Sequence, residues 1–156
     1  MENFAERLNE ASRILVEKLS GLSDAQFNWK PSPDSWSIAQ CILHLVKTNK
    51  GYFPVYERLA SGHYIQNFWE KRGWGKAMFA RFFIEGVDPK NIKKMKAPGS
   101  IQPGQSHIDQ SILNKLLEQH SKMLAYYGSI QNKNEMDRVV SSPFAKFVTY
   151  PVSATF

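Results

Sequence analysis

Apolar residues return every three or four positions along three long stretches of this chain, and that period limits the fold more than any other feature. In the first stretch Phe4, Leu8, Ala11, Leu15 and Leu19 share one face of a helix expected over about Glu2–Leu19, with Gly21 as its stop. Two prolines make Asn28–Asp34 a stiff connector. The second helix is expected to be capped by Asp34 or Ser35 and to reach Leu59, ending near Gly62. Its broad apolar face carries Ile38, Ala39, Ile42, Leu43, Leu45, Val46 and Phe53, and a smaller, more polar strip beside it carries Ser37, Cys41, His44, Thr48 and Val55. The third runs over about His107–Ile130, with Ile108, Ile112, Leu116, Met123, Tyr127 and Ile130 in line. A short aromatic helix is expected at Trp74–Glu85, a long loop at Gly86–Gly104, and an extended tail over Asn132–Phe156. Three long amphipathic helices without a βαβ alternation predict an all-α helical bundle, folded as a single domain over residues 1–156.

Composition narrows the function classes. The chain has 156 residues, 42% of them apolar, so it is long enough for one packed core. Its one cysteine, Cys41, excludes an internal disulfide framework and a cysteine-cluster metal site. No apolar run approaches the ~18 residues of a membrane span, and the first residues lack the apolar centre of a signal peptide. The expectation is a cytoplasmic domain with no membrane partner. The net charge is +6, and eight basic residues against three acidic ones between Gln66 and Ser100 supply most of it. That basic stretch, Lys90–Lys96 included, has no recognised nucleic-acid motif, so it reads as a solvated loop and a nucleic-acid partner is not expected.

The chain has no phosphate-cradling glycine loop, no His-Glu-x-x-His and no Gly-x-Ser-x-Gly. Its histidines are His44, His63, His107 and His120. A histidine inside a bundle can ligate a metal, because facing helices project side chains toward a common point. The bland reading of His44 is a histidine on a solvated flank. That of His120, within the third apolar stripe, is a core histidine with one hydrogen-bonded nitrogen. His63 and His107 flank helix ends. Cys41 lies one turn from His44, so a Cys–His nucleophile pair is conceivable, but a small buried hydrophobe is the simpler reading.

At Trp36–Leu45 the sequence becomes specific. Trp-Ser-Ile-Ala-Gln-Cys-Ile-Leu-His-Leu, preceded by Asn-Trp-Lys-Pro-Ser-Pro-Asp-Ser, resembles the second-helix signature of the DinB-like superfamily. Arg72-Gly73-Trp74, Lys94-Met95-Lys96-Ala97-Pro98, Ser142-Pro143-Phe144 and Thr149-Tyr150 extend the resemblance over nearly the whole chain. It implies a four-helix bundle of up-down-up-down type, with a long connection between the second and third main helices. It also implies a metal-dependent hydrolase or thiol-transferase-like protein acting on a small-molecule substrate of unknown identity. The family's metal site resembles a three-histidine arrangement for a divalent ion such as zinc, nickel or iron. One ligand carries over to His44. The other two belong to a His-x-x-x-His motif in a final helix, and this sequence contains no such motif. The expectation is therefore an incomplete metal site and a chain about one helix short, whose exposed groove is covered by the tail, a partner subunit or the missing helix. The alternative expectation is a non-catalytic, homodimeric bundle acting in binding or scaffolding.

Overall fold

A computed structural model describes residues 4–72 and 97–156. The expected helix at Trp74–Glu85 and the lysines Lys90–Lys96 lie outside them. The chain is mostly helical, and it divides into two compact units: Met1–Lys50 with Ile101–Ala125, and Gly51–Ser100 with Tyr126–Phe156.

In the first unit, α1 spans Phe4–Leu19. Leu8, Leu15 and Leu19 are half-buried along its inner face, while Arg13 pairs with Glu10 and Glu17 on the solvent side. A five-residue helix, α2 (Asp24–Asn28), was not foreseen. It forms because Ser23 and Gln26 make a capping box, each side chain accepting the other's backbone N–H. That turn buries Phe27 completely. The Asn28 amide then clamps the chain near Ile108, donating to its carbonyl (3.0 Å) and accepting its N–H (2.9 Å). The long helices α3 (Ile38–Ser61) and α5 (Ser111–Asn132) lend their N-terminal parts to this unit. Phe27, Ala39, Ile42, Ile108, Ile112 and Leu116 form its core.

The starts of both long helices differ from expectation for local reasons. α3 is capped by Ser37 rather than Asp34 or Ser35. The Ser37 Oγ accepts the Gln40 N–H, and the Gln40 side chain accepts the Ser37 N–H. α5 starts at Ser111 rather than His107, where the Asp109 carboxylate accepts the Ser111 N–H.

The second unit takes the C-terminal parts of those helices and adds α4 (Phe68–Arg72) and a hairpin. α3 runs through Pro54 and closes at Gly62, whose φ of +79° suits glycine. His63 N–H donates to the Arg58 carbonyl and Gly62 N–H to the Leu59 carbonyl, a Schellman closure. α5 closes the same way at Asn134, φ 56°, a residue whose short polar side chain tolerates the left-handed region. The expected extended tail is an antiparallel pair, β1 (Val139–Ser142) and β2 (Ala145–Pro151). Val140 faces Tyr150 and Ser141 faces Thr149, and the register shifts after Ser141 toward the turn at Pro143. The tail is not merely a cover. Val140, Tyr150 and Val152 are fully buried and build the core together with Tyr52, Tyr56, Leu59 and Ile130.

Candidate functional site

The residue types that could carry chemistry gather on the polar side of α3 in the first unit. Gln40, His44 and Lys47 follow at spacings of four and three, so they form one row along the helix. Each holds one carbonyl of the Ile101–Gln105 segment. Gln40 Nε2 donates to Gln105 O (2.9 Å), His44 Nδ1 to Ile101 O (2.9 Å), and Lys47 Nζ to Gln102 O (2.7 Å). The row works as a clasp, satisfying three loop carbonyls that would otherwise need other partners.

His44 is half-buried, with the Trp36 ring 5.1 Å away at 50°. A carbonyl can only accept, so Nδ1 carries the proton facing Ile101, and in the neutral ring the lone pair sits on Nε2. Nε2 has no hydrogen-bond partner among the described residues.

His120 is the core histidine that its position in the apolar stripe suggests. It is buried and its Nδ1 lies 2.7 Å from the Ser12 hydroxyl. Ser12 has one hydroxyl hydrogen, and the Leu8 carbonyl 2.8 Å away accepts it. The His120 Nδ1–H therefore donates to Ser12 Oγ. Burial holds the His120 imidazole below the usual histidine pKa, because desolvation disfavours its charged form. His107 reaches Asp24 at 3.0 Å on the exposed surface. His63 is exposed.

Cys41 corrects the expectation of a buried hydrophobe. The residue is exposed, because it stands on the polar strip rather than on the apolar face. Partial burial of its thiol still raises its pKa, the opposite of what a nucleophilic thiolate needs. That leaves the Cys–His pair without an activated nucleophile.

The described residues do not fit a three-imidazole metal centre. His44 and His120 spend only Nδ1 on described partners, Ile101 and Ser12, while His107 turns Nε2 to Asp24 on the exposed surface. Among the described residues no group of three or more histidine, cysteine or carboxylate side chains is placed to hold an ion.

One buried ionisable group escaped the sequence reading. Glu70 is only 3% exposed in the second unit. Its carboxylate accepts the Tyr64 hydroxyl (2.7 Å), the Asn67 N–H (2.7 Å) and the Ser141 N–H (2.8 Å). The Asn67 side chain in turn accepts the N–H groups of Trp69 and Glu70. Burial, then the bond to Glu70, pushes the Tyr64 phenol above its ordinary range. The available signal was Asn67-x-x-Glu70, a capping-box spacing that encloses the aromatic pair Phe68-Trp69.

Comparison with known proteins adds a family. A model of the DinB superfamily matches residues 7–155. The chain is 26% identical over 141 residues to the uncharacterized protein YuaE of Bacillus subtilis (strain 168), covering 90% of this chain and 80% of that one. No solved structure matches.

Proposed function

The chain belongs to the DinB superfamily, and from that premise we propose that it is a non-catalytic binding module built on this helical scaffold. The Gln40–His44–Lys47 clasp carries the reading, because it gives the row a structural task, tying the Ile101–Gln105 segment to α3 through His44 Nδ1 while Nε2 stays open among the described residues. The proposal takes residues 1–156 as one domain. In support, the family match runs across both compact units, and α3 and α5 each contribute to both. It also takes the working form to be a homodimer in the reducing cytoplasm, in keeping with a single cysteine.

A second reading keeps the family's chemistry, a metal-dependent hydrolase or thiol transferase. One observation favours it. Metal-bound histidines commonly donate their other ring N–H to a carbonyl, which is the orientation of His44. His44 Nε2 would then be the first ligand of a zinc, nickel or iron ion, with two further donors still required.

Calorimetric titration with each of the three ions, beside sedimentation, separates the two. The binding module predicts a dimer without stoichiometric ion binding. Binding of one ion per chain, abolished by His44→Ala, would establish the second reading.

A further inference from the structure

The second unit contains a cleft of about 610 Å³ in which His44 takes no part. Its lining comes from α3 at Pro54–Arg58, from the Tyr64–Glu70 segment, and from the hairpin at Ser141–Lys146. The volume lies within the span typical of small-molecule sites. The chemistry of the lining is mixed in a specific way.

Two cations face the cleft. Lys146 is exposed and has no partner among the described residues. Arg58 uses Nε on the Pro54 carbonyl (3.1 Å) and stands 5.3 Å over the Tyr64 ring. Its two terminal nitrogens have no partner among the described residues. One carboxylate, Glu70, also belongs to the lining. Its oxygens are already taken by the Tyr64 hydroxyl and by the Asn67 and Ser141 N–H groups. Those donors are neutral and leave the Glu70 charge in place, so the lining sets two cations against one carboxylate whose oxygens are turned to the protein, and its net charge is positive.

Beside these cations stands an apolar patch. Ile65, Phe68 and Trp69 all line the cleft and are 84%, 61% and 45% exposed. Scattered exposed apolar residues need no explanation, but three large ones gathered at one cleft do. The Phe68 and Trp69 rings meet edge-on at 5.6 Å, so they offer surfaces at nearly a right angle. Aromatic surface next to unpaired cations suits a ligand with both a flat apolar part and a negative group.

We infer that this cleft binds a small organic anion, one that joins a flat apolar body to a carboxylate, sulfonate or phosphate. The inference goes beyond the role of His44 and stands whether or not that histidine takes an ion. Arg58 and Lys146 bind the anionic group, and Phe68 and Trp69 pack against the body.

The test uses the full chain and two probes, anilinonaphthalene sulfonate and the uncharged anilinonaphthalene. Fluorescence titration is expected to show saturable binding of one sulfonate per chain, tighter than the uncharged probe. The double variant Arg58→Gln with Lys146→Gln is expected to weaken the sulfonate about tenfold or more, the loss from removing charged hydrogen bonds. The same variant leaves the uncharged probe unchanged. Lys146 has no hydrogen-bond or ion-pair partner among the described residues, so the smaller loss in Lys146→Gln alone stands even if the Arg58 change perturbs folding. Trp69→Leu should weaken both probes. The inference is overturned if no saturable site is found, if both probes bind alike, or if Lys146→Gln and the double variant bind the sulfonate as tightly as the parent.

Discussion

His44 Nδ1 donates to the Ile101 carbonyl at 2.9 Å, across 57 positions of sequence. The bond fixes the tautomer of the signature histidine and ties the Ile101–Gln105 segment to α3. Its removal can be made selective. An asparagine carries an amide nitrogen near the place of Nδ1 but nothing in place of Nε2. His44→Ala is therefore expected to cost about 1–2 kcal/mol, the penalty of a partly buried carbonyl left without its donor. His44→Asn should recover most of that loss. Urea melts of the three proteins check the order. Equal losses for both variants would show that the ring, and not the hydrogen bond, matters.

The buried His120 makes stability depend on pH with a definite sign. Its folded-state pKa lies below the unfolded value of about 6.5. Between the two, the unfolded chain holds a proton that the native one does not, so falling pH favours unfolding. The stabilisation is complete above the unfolded pKa. It drains away as pH falls through this window and stops changing below the folded pKa. Melting temperatures taken from neutral to mildly acid pH should fall more steeply for the wild type than for His120→Gln. Parallel curves would show that other groups set the acid response.

Gly51 tests the packing of the second unit. A Cβ built there would lie 2.6 Å from the Phe144 ring, which itself packs edge-on against Tyr52 at 5.9 Å. Mid-helix alanine is intrinsically better than glycine by about 1 kcal/mol. The steric conflict should reverse that sign, so that Gly51→Ala costs about 1–3 kcal/mol. In a Phe144→Leu background the same change should become neutral or stabilising. A double-mutant cycle by thermal or urea unfolding measures this coupling. A cycle with no coupling would remove the conflict from the account.

Glu70 is a structural carboxylate, with its oxygens turned to three donors of the chain. Glu70→Ala strands the Tyr64 hydroxyl and two backbone N–H groups, those of Asn67 and Ser141. The expected cost is about 2–4 kcal/mol, while Tyr64→Phe should cost about 1 kcal/mol. Amide exchange at Ser141 provides a local readout, with protection falling in Glu70→Ala and surviving in Tyr64→Phe. If exchange at Ser141 is the same in both, the carboxylate does not anchor the hairpin.

The sequence made the long helices legible because their signal is repeated over many turns. Leu8, Leu15 and Leu19, or Ile112, Leu116 and Ile130, each restate the same face. The extended character of the tail was also visible, in its prolines and in Phe147-Val148-Thr149-Tyr150. Its pairing was not. Val140 opposite Tyr150, and the burial of both against Tyr52 and Ile130, depend on contacts far apart in the chain. Short elements were missed for a related reason. α2 and α4 owe their existence to Ser23–Gln26 and Asn67–Glu70, two capping boxes with too few turns to show a period. His120 could be read as a hydrogen-bonded core histidine from its stripe alone. His44 could be placed on the polar strip, but the carbonyl it serves lies on a loop that no spacing rule reaches. Cys41 was misread because its type suggested burial while its position on that same strip pointed outward.

The central question is whether His44, which holds the Ile101 carbonyl through Nδ1, also takes an ion at Nε2. Nitrogen NMR of isotope-labelled histidine reports both ring nitrogens directly. The binding-module reading predicts that the His44 Nδ1 proton faces the Ile101 carbonyl, and that an equivalent of zinc, nickel or ferrous iron leaves both ring-nitrogen signals in place. A shift or broadening of the His44 Nε2 signal at one ion per chain, absent in His44→Asn, would contradict it.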